Sequence, residues 1–125
     1  MSDLDRLGAG KYVLVTTRRR DGRTVPTPVW AVRDGEELLI WTPKDSGKVK
    51  RIRNFPDVEL AECDFRGNPS GPSVPATARI LDAAGAERAR KLISRKYGVM
   101  GKLTVLGSKL RRGAKGTVGI SLRVD

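Results

Sequence analysis

The chain has 125 residues, enough for one ordinary domain around a single core (1–125) and too few for two. Hydrophobic residues make up 38% and the 14 glycines lift the apolar share to a globular level, so wholesale disorder is excluded. Twenty-five Lys and Arg against 14 Asp and Glu give a formal charge of +11, which points to an anionic partner, while the absence of histidine removes Ser-His-Asp and Cys-His catalysis and histidine ligation of a metal or haem.

Met1 to Arg6 carries two aspartates and no positive flank ahead of an apolar stretch, which is not the pattern of a secretory signal. No apolar run approaches the ~20 residues of a membrane span. The single cysteine, Cys63, cannot form an internal disulfide or a cysteine-rich zinc site and reads as a small strand residue; the expectation is a cytoplasmic protein with no metal site. Residues 11–18 are rich in β-branched side chains and run into Asp21-Gly22, a hairpin signal, so they predict a strand paired with a second at 23–33. Asp34-Gly35 predicts another turn into a strand at 37–42, completing a three-stranded antiparallel meander. Val49, Ile52 and Phe55 fall at helical spacing within 46–55, with Asp45 or Ser46 as N-cap and Pro56 as terminator. Strands are expected at 57–63 and 73–82, flanking a Gly- and Pro-rich loop, and then the main helix at 83–97 with Ala86, Ala89, Ile93 and Tyr97 on one face. Residues 102–110 fit either a short helix or a strand, and 116–124 alternates as a closing strand. Five or six antiparallel strands with two helices predict a mainly β protein, a small β-barrel.

Lys44, Lys48, Lys50, Arg51 and Arg53 cluster where the third strand enters the short helix. The first turn of a helix presents unpaired N–H groups and the positive end of the macrodipole, and the Thr42 and Ser46 hydroxyls and the Lys48 ammonium add donors, so the place suits a phosphate; a solvated basic helix face is the plainer alternative. Pro26 and Pro28 lie two apart on the second strand and lose their N–H groups on the same edge, which marks a strand edge or a backbone that faces a flat ligand. Trp30 and Trp41 can stack on a ring or fill the core. Further basic clusters at Arg18 to Arg23, Arg88 to Lys96 and Lys109 to Lys115 raise nucleic acid as a partner, but aromatic residues are only 5% and no nucleic-acid-binding signature is present, so nucleic acid is the lesser reading.

The runs TPVWAV, then DG, then LLIWTPKDSGKVKRIRNFP and VELAECDFRG resemble the split-barrel flavoproteins. They are most similar to the pyridoxamine-phosphate-oxidase-like proteins of actinobacteria that use the deazaflavin coenzyme F420. The likeness extends through RKLISRKYG and GSKLRRG. The resemblance implies a six-stranded antiparallel split barrel of the FMN-binding type, a homodimer with sites between subunits, and hydride transfer between F420 (alternatively FMN) and a small conjugated acceptor. In pyridoxamine phosphate oxidases an arginine and a lysine on the second strand and a serine-arginine-lysine run hold the flavin phosphate. Here those positions are Pro26 and Ala31, and Ser46, Gly47 and Lys48, which departs from that enzyme toward the deazaflavin branch. By the resemblance Thr42, Ser46, Lys48, Lys50 and Arg51 hold the cofactor phosphate, and Pro26, Thr27, Pro28 and Val29 flank its ring; Trp41, as an aromatic able to stack on a ring, is counted with these cofactor-binding residues. The same resemblance leaves open a cofactor carrier without catalysis; no catalytic side chain is assigned.

Overall fold

A computed structural model describes residues 2–98 and 116–125. The ambiguous segment 102–110 and the basic cluster from Lys109 to Lys115 lie outside the described residues. In chain order the elements are α1 (Asp3–Ala9), β1 (Tyr12–Arg18), β2 (Thr24–Val29), β3 (Val32–Asp34), β4 (Glu37–Pro43), α2 (Gly47–Asn54), β5 (Asp57–Cys63), β6 (Val74–Ile80), α3 (Ala83–Lys96) and β7 (Thr117–Val124). The seven strands form one antiparallel sheet in the order β2-β1-β5-β6-β7-β4-β3.

β2 and β3 occupy opposite ends of that order, yet only Trp30 and Ala31 separate them in the chain. The sheet therefore curls until its ends nearly meet. The single strand expected over 23–33 is in fact two, one paired with β1 and the other with β4. Counted through the break, the barrel has the six strands that the sequence implies. Both turns follow their glycines: Gly22, at φ +88°, closes the loop in which Arg19 N–H donates to Arg23 C=O, and Gly35, at φ +63°, opens the two-residue β3–β4 loop.

The cause of the break lies far along the chain. Ala31 is fully buried, so its polar groups need partners. Continuing the β1–β2 register puts Lys11 opposite Ala31, but the Tyr97 hydroxyl stands between them, accepting from Ala31 N–H at 3.2 Å and donating to Lys11 C=O at 2.6 Å. The Lys96 ammonium donates to Ala31 C=O at 2.5 Å and to the carbonyls of Gly8 (3.1 Å) and Gly10 (2.9 Å) at the end of α1. Trp30 stacks on the Tyr97 ring, centroids 4.3 Å apart and planes 8° from parallel.

The core is filled by inward positions of alternating strands, among them Val13, Val15, Leu38, Ile40, Leu60, Ile120 and Leu122. Each buried Leu or Ile there is worth ~1.5–3 kcal/mol of transfer free energy. α1, an N-terminal helix that the sequence reading did not anticipate, seats Leu4 and Leu7 at one end of the barrel, and α2 seats Val49 and Ile52 at the other. α3 lies outside, across β7 and β4. Its approach needs Gly119, where a Cβ would stand 3.0 Å from Gly85 C=O.

Candidate functional site

Ser46 caps α2, its Oγ accepting from Val49 N–H at 3.3 Å. No acidic residue occupies the first turn. Lys48 lies half-buried on that turn and donates to Thr42 Oγ1 at 3.4 Å. Burial, and next the neighbouring Arg51 charge, push the Lys48 ammonium below the ordinary lysine range. Three residues on, Arg51 donates through Nε to Thr17 Oγ1 at 2.6 Å, and Thr17, fully buried at the end of β1, donates weakly to Val25 C=O at 3.4 Å. Gly47 makes room for this arrangement, since a Cβ there would sit 2.7 Å from Arg51 Nη1, so the guanidinium folds back across the helix start. Burial and then the nearby Arg19 lower the Arg51 pKa, so the β1–β2 hairpin tip and α2 form one positive surface.

Beside this donor cluster the barrel is split. β3 pairs with β4 only as far as Val32 opposite Leu39, and among the described residues β2 has β1 on one side and no strand on the other. In an antiparallel pair alternate residues direct both polar groups to the same side. The Arg19 N–H to Arg23 C=O bond fixes Val25, Thr27 and Val29 as facing β1, so Thr24, Pro26 and Pro28 face the split. That lip offers the carbonyls of Pro26 and Pro28 and no N–H from either. On the other lip, the Lys44 N–H to Gly116 C=O bond fixes Thr42 as facing β7, so the Trp41 main chain faces the split.

The structure thus brings together most of the expected residues and separates two. Thr42, Ser46, Lys48 and Arg51 gather around the start of α2, and Pro26 to Val29 form one lip. Lys50 is exposed on a different side of α2, lining a cleft of about 520 Å³ with Lys44, Asp45 and Arg53. Trp41 presents only its backbone to the split; its ring lines a cleft of about 380 Å³ on the outer face with Leu81, Ala86 and Val118. Thr17 was not singled out from sequence, although a hydroxyl at the third inward position after Val13 and Val15 is the signal that finds it. Trp30 is neither core nor a free stacking platform, since Tyr97 covers one of its faces.

No protein-family model and no curated protein matches the sequence. Solved structures do match. An F420 reductase superimposes with TM-score 0.65 at 21% identity, over 100% of this chain and 95% of its own. The heme storage protein HutZ from Vibrio cholerae gives 0.66 at 12% identity, over 94% and 83% respectively. A FAD-binding protein from Mesorhizobium loti gives 0.59 at 16% identity, over 100% and 89%. The chain has the split-barrel fold. The names of these neighbours mention F420, heme and FAD, so the split-barrel fold by itself does not select a ligand.

Proposed function

We propose that the protein is an F420-dependent oxidoreductase that transfers a hydride between the deazaflavin and a small conjugated acceptor. The observation that carries this reading is Lys48, a half-buried ammonium at a helix start whose neighbours are a hydroxyl and another cation. Such a charge is costly unless an anion joins it, and the α2 N-terminus, Ser46, Thr42 and Arg51 supply the donors that a phosphodiester accepts. The Pro26 and Pro28 carbonyls on this lip suit the N–H groups of a ring edge, with Thr27 and Val29 beside them. Bound there, the reduced deazaflavin supplies the hydride, chemistry that a protein lacking histidine does not have to provide. The chain's own residues orient the ring and exclude water. Arg19, Arg51 and the exposed Arg18, Arg20 and Arg23 extend the positive surface beyond one phosphate, which suits the cofactor's oligoglutamate tail; exposed pairs of this kind add only ~0–1 kcal/mol each and are weakened by salt. The expected assembly is a cytoplasmic homodimer whose second subunit covers an open sheet edge.

FMN is the second reading, favoured by the fact that Thr42, Ser46 and Lys48 can satisfy its single phosphate. Fluorescence titration with F420, its tail-free precursor, FMN and haem at two salt concentrations separates the two. The expected order is F420, then the tail-free precursor, then FMN, with salt weakening the tailed form most; tightest binding by FMN overturns the assignment. Sedimentation of the F420-loaded protein is expected to give a dimer, and a monomer at micromolar concentration removes the shared-site arrangement.

A further inference from the structure

We propose that Pro28 and Pro43 hold the split open by denying its two lips the N–H groups needed to zip into one ladder. The β3–β4 hairpin has a two-residue loop, so Asp34 and Glu37 form a bond-exchanging pair, and the next such pair is Val32 with Leu39. The same register carried onward sets Trp30 opposite Trp41, and then Pro28 opposite Pro43. The observed ladder ends at Val32/Leu39, one pair ahead of the prolines, while β2 and β4 beyond it are already extended and held from behind by β1 and β7. At the Pro28/Pro43 position a ladder needs an N–H from each strand, and neither residue has one. Beyond it β4 has ended, the chain turning after Pro43 with Ser46 N–H donating to Pro43 C=O at 3.2 Å.

Both prolines are placed where only the pairing across the split suffers. Pro28 lies opposite Leu14 in β1 and Pro43 opposite Thr117 in β7, each at a position where the existing neighbour asks for no N–H. Two strand residues without an N–H would be a defect in a closed barrel. Here they are a device that keeps a cleft from healing, and Tyr97, wedged on the β1 side at Ala31, sets where that cleft ends. The proposal rests on the cofactor reading only for the identity of what enters the cleft.

The test is the double variant Pro28→Val/Pro43→Val beside each single variant, all free of ligand and then titrated with F420. Amide hydrogen exchange at Trp41 is expected to slow at least tenfold from the parent in the double variant, and the amides created at positions 28 and 43 to exchange at least tenfold more slowly there than in the corresponding single variants; its Tm is expected to rise and its F420 affinity to fall at least tenfold, each beyond the sum of the single changes. A merely structural role for the prolines moves stability and affinity down together, and that result overturns the proposal, as does unslowed exchange at all three positions. Slowed exchange with a raised Tm and undiminished F420 binding sustains the proline block and overturns instead the placement of the cofactor in the split.

Discussion

At the Tyr12 end of the barrel α1 is capped by Ser2 and seats Leu4 and Leu7; at the Arg18 end α2 is capped by Ser46 and seats Val49 and Ile52. As plugs the two helices are alike, each a short segment with a hydroxyl cap and two buried apolar side chains. Their charges differ. α1 carries Asp3 and Asp5 in its first turn, Arg6 pairs with Asp3 at 2.9 Å and with Glu62, and Asp5 takes Arg33. α2 carries Lys48, Lys50, Arg51 and Arg53 and no acid in its first turn, and among the described residues no ion pair reaches these four. Closing a barrel asks only for caps and apolar volume, as α1 demonstrates with its charges balanced. The cations of α2, unpaired among the described residues, are not required for closing the barrel.

The comparison can be broken most forcefully in the core. Leu7→Ala and Ile52→Ala each remove a buried side chain and are expected to cost about 2–5 kcal/mol in denaturant unfolding. Only Ile52→Ala is expected to weaken F420 as well, because Ile52 seats the helix that holds the donors; equal weakening by Leu7→Ala dissolves the distinction between the ends.

A smaller change isolates charge from packing. Lys48→Ala is expected to cost about 1.5–3 kcal/mol of F420 affinity by calorimetry, the range for hydrogen bonds to charged groups. Stability should hold or rise, since the substitution removes a cation that burial opposes. The pH dependence has a definite sign. A lysine whose folded pKa lies below its unfolded value loses its proton earlier in the folded protein, so its burden on stability lightens as pH rises. Affinity for a phosphate-bearing cofactor falls over the same alkaline window, beginning below 10.5, and Lys48→Arg should keep binding to higher pH.

The smallest effect belongs to the balanced end. Hydrogen bonds from Arg33 and then Ser2 lower the Asp5 carboxyl from 3.8 to about 2. That contribution is present above pH 3.8 and disappears as pH falls through about 2. The Asp5 pair is exposed, so Asp5→Asn should flatten the acid limb of an unfolding-against-pH curve only slightly and leave F420 affinity at neutral pH unchanged. A shift in that affinity would mean that the two ends are electrically coupled.

Much of this architecture was legible because its determinants are local. Asp21-Gly22 and Asp34-Gly35 mark the two hairpin loops, Val49 and Ile52 mark the buried face of α2, and the Thr42-Ser46-Lys48 spacing finds the donor cluster where strand meets helix. The break at Trp30-Ala31 was not legible. Neither residue terminates a strand, and the groups that impose the break, Lys96 and Tyr97, arrive some 65 residues later. α1 was missed for a related reason, since Leu4 and Leu7 make too short an apolar pattern to announce a helix until the barrel end receives them. Lys50 was placed with Arg51 by the resemblance, whereas successive helical residues point about 100° apart and only Lys48 and Arg51, three apart, share a side. The ring of Trp41 left its backbone for the same kind of reason, because a strand sends a side chain and its own main-chain groups in perpendicular directions.

The Trp30–Tyr97 stack also gives the molecule two optical probes with separate addresses. Trp30 lies against a phenol ring at the strand break, so its emission follows the integrity of that break and takes up excitation from Tyr97. Trp41 lines the outer cleft beneath α3, on the far face of the strand from Thr42, and reports that cleft instead. Replacing one indole at a time would therefore resolve fluorescence from the hinge of the barrel and from its helix-covered flank in a protein that carries no other tryptophan.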